Sequence, residues 1–515
     1  MIGALRFFII MISIQNPPLT HLDFDFFIQR FSERLHNLFH VESNINKLSL
    51  ERGLPQNVWS EILKLKPFSV AIPKEYGGRG AQVKECLSVL SAAAYESLPL
   101  SLTLGINLGL FLQPLAKYAD VNIKQRIFDK FLKGKVMGGL MITEPDYGSD
   151  ALNMTTYFEK TDNQINIKGK KHWQGLTGMA DFWLVVAREK LKSGNLSRDV
   201  SFFVTENAKK AQEIQVDKYF NNPGLFMIPY GVNNIDISIP ENHQLKPEST
   251  GLKMMLDVLH RSRMQFPGMG MGFIKRMLDE AVARCTTRKV GGKPLIDLDS
   301  VKYQISRIQS SYTLCSGMCA RSSEISGIEN DLSGFGLEAN SIKALITDLM
   351  NESANICAQL SGASGYQLEH IAGRGIMDSR PFQIFEGSNE MLYTQIAEMV
   401  IKEMKKAKTR NLYDFLSQSA YCRLIIEPFK EHLQIQIPEK MLQRQLITLG
   451  QIVARLVSLQ YVFKLVEKGF REDLFESCSK HIKMDIKKLI SNLDDFNSAR
   501  PILNYTEDSD WRSFV

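Results

Sequence analysis

Apolar residues recur at three- and four-residue spacing through FDFFIQRFSERLHNLF, then through CLSVLSAAAY and IKQRIFDKFL, all between residues 20 and 135. That is the period of helices with one buried face. The stretch IPKEYGGRG interrupts them as a turn. From about 138 to 245 the period becomes two. NQINIKGK, DFWLVVAR, VSFFVTEN and NNIDISIP are short β-branched or aromatic runs between turn residues. They predict a small all-β domain, either a compact barrel or two packed sheets. From about 250 to 405 the helical period returns. GFIKRMLDEAVARCTTRK places Phe273, Met277, Leu278, Ala281, Val282 and Cys285 on one face. Further long helices are predicted over 299–325 and 337–361. Beyond 405 the pattern stays helical, broken at Pro428 and Pro438, with QRQLITLGQIVARLVSLQYVFKLVEKG its longest periodic run.

The predicted organisation is α+β and multidomain. An N-terminal tail covers 1–20, a helical bundle 21–137, a small β-barrel-like domain 138–246, a C-terminal helical bundle 247–405 and a helical extension 406–515. The apolar ALRFFIIMISI is too short to span a bilayer and has no cleavage pattern. It reads as a tail or as the product of a start codon set too far upstream. No other stretch reads as long and apolar enough to cross a membrane.

Composition narrows the function classes. The 515 residues are 44% hydrophobic and 23% charged, which is globular, and too long for one small core. A net charge of +6 without a dense Lys/Arg block argues against nucleic acid. It suits an anionic small molecule without specifying one. The seven scattered cysteines read as reduced thiols of a cytoplasmic protein. Cys315 and Cys319, four apart, read as core residues of one helix face rather than a metal pair. No metal site is expected.

Five segments could carry chemistry. MITEPDYGSD, residues 141–150, opens the β region with a loop of free N–H groups and short hydroxyls, suited to an anion or a polar ring edge, or simply a β-turn. Trp173, followed by Gly175 and Gly178, can lie on a planar cofactor or in a core. PGMGMGF lacks the GxGxxG spacing and a preceding strand, so its glycines read as close helix contacts. QLSGASGY ends a helix at Gly362, either as a cap or against a phosphate. Last, PFQIFEGSNEML places Glu386 after an apolar run and before Gly387. A carboxylate in such surroundings has a raised pKa and is a better base toward a weak carbon acid. A buried structural glutamate fits the same residues.

In order and motif, AIPKEYGGRG, MITEPDYGSD, NNIDISIPEN, QLSGASGY and IFEGSNEML resemble the acyl-CoA dehydrogenase family over residues 25–405. The resemblance implies a helical bundle, a β-barrel-like domain and a C-terminal four-helix bundle. It implies FAD and α,β-dehydrogenation of an acyl thioester, carried by coenzyme A or by acyl-carrier protein. Glu386 would be the α-proton base, with the β-hydrogen leaving as hydride to flavin N5. The Glu386 N–H would bond the thioester carbonyl. Met141, Ile142 and Thr143 match the strand along the flavin, Gly148 and Ser149 the turn at flavin and pantetheine, and Trp173 the ring beside the isoalloxazine. Gly387, Ser388 and Glu390 would lie against substrate and flavin. Arg288 matches an arginine reaching a neighbouring subunit's FAD pyrophosphate, and Gln359 and Gly362 an adenylate turn. A homodimer or homotetramer is therefore implied, with an electron-transfer flavoprotein as acceptor.

Some branches of that family carry the base one residue before an arginine matched here by Arg263. The residue before it is Ser262, which leaves Glu386 as the base. Arg263 itself is matched to the substrate site. The chain also departs from the family. Gly175 replaces a hydroxyl residue that bonds N5, with a backbone N–H or Thr177 as the substitute. Arg288 lacks its following aromatic, Asp299 stands where a glutamine is usual, and Met377-Asp378 replaces an Arg-Asp pair. The wording at 173–178 also resembles the oxidase branch, reoxidised by oxygen. A non-catalytic relative that keeps the fold for assembly is the remaining alternative.

Overall fold

The computed structural model describes residues 22–134, 136–162, 164–493 and 500–515. The ALRFFIIMISI tail lies outside them.

Helix α1 (Phe24–Asn37) starts where Asp23 accepts from the Asp25 N–H, and its three- and four-spaced Phe27, Phe31 and Leu35 are buried. It runs on into a π turn over Leu38–Glu42. Helix α2 (Gln56–Lys64) and helix α3 (Val83–Glu96) follow. Ser97 then caps helix α4 (Leu98–Gly105), accepting from the Leu100 N–H. The chain continues through a π segment, Ile106–Leu112, to Tyr118. Helix α5 (Val121–Leu132) closes this lobe.

The period-two region forms seven strands. They are β1 (Gly138–Met141), β2 (Tyr157–Thr161), β3 (Gln164–Gly175), β4 (Phe182–Lys190), β5 (Leu196–Glu206), β6 (Gln215–Tyr219) and β7 (Tyr230–Pro240). Strand β4 is the hub. It pairs in parallel with β1 and β2 and antiparallel with β5. Its Phe182–Ala187 run is buried on both faces, as expected of a central strand that reads as continuous apolar sequence. The sheet continues through β2, β3 and β7 to β6 and curls into a half-barrel.

The C-terminal lobe comprises α6 (Gly251–Arg263), α7 (Phe266–Thr287), α8 (Asp299–Ile325), α9 (Gly336–Ser361), α10 (Ile371–Ser379) and α11 (Asn389–Lys406). The PGMGMGF glycines permit close helix contacts. A Cβ at Gly272 would lie 1.9 Å from the Ser91 carbonyl oxygen on α3, and one at Gly268 2.7 Å from that of Leu87. Beyond 405, α12 (Gln443–Val466) and α13 (Glu472–Leu493) pack on the same lobe. A Cβ at Gly450 would meet the Tyr393 carbonyl at 2.0 Å, and one at Gly317 the Val462 nitrogen at 2.7 Å. Arg307 bridges α9 and α13 through Glu352 and Asp485.

One expectation is corrected. Two helical stretches, Leu98–Tyr118 and Gln443–Val466, are long and apolar enough to cross a membrane. They are 94% and 72% buried inside the protein, so their apolarity serves packing against neighbouring helices and strands.

Candidate active site

Glu386 sits in the turn between α10 and α11 with φ +55°, and Gly387 follows at +94°. Left-handed backbone at a non-glycine residue costs about 1–3 kcal/mol, so something must hold it. Two buried cations do. Arg263, at the end of α6, donates from Nε (3.1 Å) and Nη2 (2.8 Å) to the Glu386 carbonyl. Lys343, inside α9, donates from Nζ to the Gly387 carbonyl (2.8 Å) and to Asn389 Oδ1 (2.9 Å). Gly387 suits this turn because a side chain at φ +94° is strained, and its Cβ would also crowd Met391 Cε at 2.9 Å and Leu392 Cδ2 at 3.0 Å. Ser388 caps α11 by accepting from the Met391 N–H, which starts the helix immediately after the turn.

The side chain of Glu386 is held lightly. Ser262 Oγ donates to Oε1 at 2.9 Å. Oε2 is buried and, among the described residues, has no hydrogen-bond partner. Burial pushes the carboxyl above its ordinary range, although the Arg263 charge, the Ser262 hydroxyl and the Lys343 charge oppose it. Burial also pulls Lys343 down to about 7 and Arg263 to about 10, with the Glu386 charge working the other way on both. Among the described residues the Glu386 N–H has no acceptor. A carboxyl of raised basicity with a bare oxygen, beside a free N–H, can take a proton while the backbone stabilises the charge left behind.

A second cluster lies on the half-barrel. Met141 is buried and Ile142 and Thr143 are half-buried at the end of β1. The Thr143 carbonyl accepts from the His172 N–H (3.0 Å) and Gln174 Nε2 (3.1 Å). The β3–β7 register slips between His172 and Gln174. Trp173 bulges out there with φ +60°, 52% exposed, its ring 4.2 Å from that of Phe220. The loop after Thr143 hangs from buried Glu144. Its oxygens accept from the Thr155 N–H (2.6 Å), Thr155 Oγ1 (2.7 Å), the Thr156 N–H (2.9 Å) and Lys171 Nζ (2.9 Å). Gly148 and Ser149 are exposed on that loop, and a Cβ at Gly148 would meet nothing within 4 Å.

The α4 π segment and one carboxylate tie these clusters to one another. A Cβ at Gly175 would stand 2.8 Å from Ile106 Cδ1. Gln113, one residue past the π segment, accepts at Oε1 from Gln265 Nε2, two residues beyond Arg263 (2.7 Å). Asp378 on α10 accepts from the Leu225 N–H (2.6 Å), pinning the loop that carries Phe220 to the helix before Glu386.

Family models for the acyl-CoA dehydrogenase N-terminal, middle and C-terminal domains match residues 36–135, 139–233 and 249–401. The chain belongs to the acyl-CoA dehydrogenase family. It is thereby an oxidoreductase acting on CH–CH bonds. It is 24% identical to benzylmalonyl-CoA dehydrogenase of Aromatoleum aromaticum, over 68% of this chain and 90% of that one. The fold superposes on butyryl-CoA dehydrogenase of Megasphaera elsdenii with a TM-score of 0.65 at 20% identity, covering 76% of this chain and all of that one. The FAD complex of PigA gives 0.65 at 20% identity, covering 74% and 99%.

Against the acyl-CoA dehydrogenase pattern, the expected residues fall into three groups. Glu386, Gly387, Ser388, Ser262 and Arg263 meet at one turn. Each guanidinium nitrogen of Arg263 donates to protein, Nη1 to Asn340 Oδ1 at 2.7 Å, so the side chain braces the Glu386 backbone. Met141, Ile142, Thr143, Trp173 and Gly175 gather on the half-barrel. Arg288, Gln359, Gly362 and Glu390 are exposed. Thr177, named for the missing hydroxyl, has its Oγ1 in bonds within the protein. It is buried, donating to the Gln174 carbonyl (2.8 Å) and accepting from Asn233 Nδ2 (3.1 Å). Sequence reading missed Lys343, Asn389 and the Glu144–Lys171 pair. A lysine amid the apolar and small residues of NSIKALI was the one available signal for Lys343.

Proposed function

We propose that this chain carries out α,β-dehydrogenation of an acyl thioester, with Glu386 as the base that removes the α-proton. The observation that carries the reading is the Glu386 carboxyl: raised by burial, one oxygen bare, on a backbone clamped by Arg263 and Lys343. The Glu386 N–H donates to the thioester carbonyl and stabilises the enolate character that develops as the proton leaves. Ser262 cannot compete as a base and instead orients the carboxyl.

The half-barrel suits FAD. A half-exposed Trp173, held out by a bulge beside half-buried Ile142 and Thr143, offers a flat apolar face at a strand edge. Met141, Ile142, Thr143, Gly148, Ser149, Trp173 and Gly175 would hold it, with Gly387, Ser388 and Glu390 facing substrate and cofactor. When bound, FAD supplies the acceptor for the β-hydrogen as hydride. Exposed Arg288, Gln359 and Gly362 are suited to reaching the cofactor of a second copy, and so support a homo-oligomer. An electron-transfer flavoprotein is the expected reoxidant, and the carrier is coenzyme A or acyl-carrier protein.

The test is anaerobic mixing of the FAD-loaded protein with acyl-CoA and acyl-carrier-protein thioesters of varied length. At least one should bleach the flavin absorbance and yield the 2-enoyl thioester. A protein that holds FAD but is bleached by none would overturn the reading.

A further inference from the structure

We propose that His36, His40 and Glu96 form a binding site for a divalent metal ion of the zinc class, in the N-terminal helical lobe and apart from the active site. His36 lies in the last turn of α1 and His40 one turn on, inside the π turn Leu38–Glu42. The four-residue spacing puts both imidazoles on one side, with ring centroids 4.6 Å apart. Glu96 ends α3, and its side chain is only 5% exposed. Glu96 Oε1 lies 3.3 Å from His36 Nδ1, and Oε2 2.6 Å from His40 Nε2. One donor atom from each of the three residues lies within 4.8 Å of the others.

Those spacings are close to what a metal needs. Tetrahedral zinc with ligands at about 2.0–2.1 Å sets neighbouring donors roughly 3.3 Å apart. The two distances involve different oxygens of Glu96, so one oxygen must turn to face both rings, and the three donors, within 4.8 Å of one another, must draw in around the ion. Two imidazoles and a carboxylate are the donor set of borderline metals, not of magnesium or calcium, which select oxygens. Three protein ligands leave a fourth position for water. The buried carboxylate supplies the negative charge that an incoming cation requires. Arg276 Nη1, 3.9 Å from Glu96 Oε2, opposes the cation. Glu280, 4.0 Å from Arg276 Nη2, offsets that opposition.

The ion's effect is structural. It would join the end of α1 to the end of α3, directly before Ser97, α4 and the π segment whose Ile106 leaves no room for a Cβ at Gly175. Metal binding to the folded state alone raises stability by mass action.

The experiment uses full-length protein with any histidine tag removed. Zn²⁺ is titrated by calorimetry and by thermal unfolding, and Co²⁺ by visible absorption. One ion per chain is expected, with Tm rising with free Zn²⁺ and a tetrahedral Co²⁺ spectrum. His36→Asn and His40→Gln should abolish both signals while keeping the far-UV circular dichroism of the parent. His370→Gln, a nearby histidine outside the cluster, should keep them. Absence of saturable binding in the parent, or binding that survives in both His36→Asn and His40→Gln, would overturn the proposal. Should either variant misfold, the parent's stoichiometry and Co²⁺ spectrum decide it.

Discussion

Glu144 is buried and Glu386 half-buried with its Oε2 out of water, yet the two are driven in opposite directions. Burial acts on each by raising the pKa. At Glu144 it is overcome by the Lys171 charge and by the Thr155 and Thr156 donors, and the carboxyl falls to about 2. At Glu386 the opposing groups are weaker: two charges directed at the backbone carbonyls and a single hydroxyl on Oε1, so burial wins. The donor count therefore separates the roles. A carboxylate with four donors is a peg that holds a loop. One with a single donor and a bare oxygen suits the proposed role of taking a proton.

The sharpest way to break this comparison is Glu386→Gln. The amide keeps the shape and the Ser262 contact but cannot accept a proton. Reduction of the bound flavin by acyl thioester should fall by about 10²–10⁴-fold, the range for a deleted general base, while FAD content is unchanged. Stopped-flow bleaching measures it, and parent-like rates would remove Glu386 from the mechanism.

The matching change, Glu144→Gln, should leave the chemistry's residues in place but cost stability. Removing one partner of a buried pair strands the other, Lys171, at about 3–5 kcal/mol, readable by urea unfolding. The pH dependence follows from the sign of the shift. Glu144 is depressed, so its contribution is present above the ordinary glutamate range near about 4.3 and is lost as pH falls through about 2. The variant should lose that acid-side slope.

Smaller again is Lys343→Met, which keeps the volume and removes the donor to the Gly387 carbonyl and Asn389. Hydrogen bonds to charged groups contribute about 1.5–3 kcal/mol, so kcat should fall by roughly ten- to a hundredfold. FAD content should not change, and KM should move less than kcat. A variant with parental kcat would show that the Arg263 clamp suffices alone.

Much of this was legible in the sequence, and the reasons are local. The change of period from 3.6 to 2 and back located the half-barrel between helical lobes, because burial on one face writes itself into alternation. TEP…GSD and IFEGS are contiguous, so the turn at Glu386 and the loop at Glu144 stood out. What was illegible is assembled from distant residues. Lys343 and Arg263 reach Glu386 from separate helices 43 and 123 positions away along the chain. The hold of Arg263 on the Glu386 carbonyl was not legible, because a matching position does not say what else a guanidinium bonds. Thr177 read as a free hydroxyl because its partner, Asn233, lies on another strand. The Leu98–Tyr118 helix hid for the opposite reason. Buried on all sides, it has no polar face to mark its period.

Ser262→Ala is the finest test, because it alters only the balance that keeps Glu386 usable. The Ser262 hydroxyl donates to the charged form and so lowers a pKa that burial has raised. Glu386 must be deprotonated to act, so kcat/KM should fall on the acid side of that raised value. Without the hydroxyl the acid limb moves further up in pH. The high-pH plateau should be nearly unchanged, because there the carboxylate forms with or without the hydroxyl. Ser262→Thr keeps the donor and should keep the parental profile. Stability carries the same sign: a raised carboxyl favours the folded state below the ordinary glutamate range, and that benefit is lost as pH rises through the folded value. The alanine variant should therefore lose it at higher pH than the parent. If the limb moves down, or stays put in alanine, then the group that titrates is not a Glu386 held by Ser262. The contrast with Glu144 would then rest on Lys171 alone.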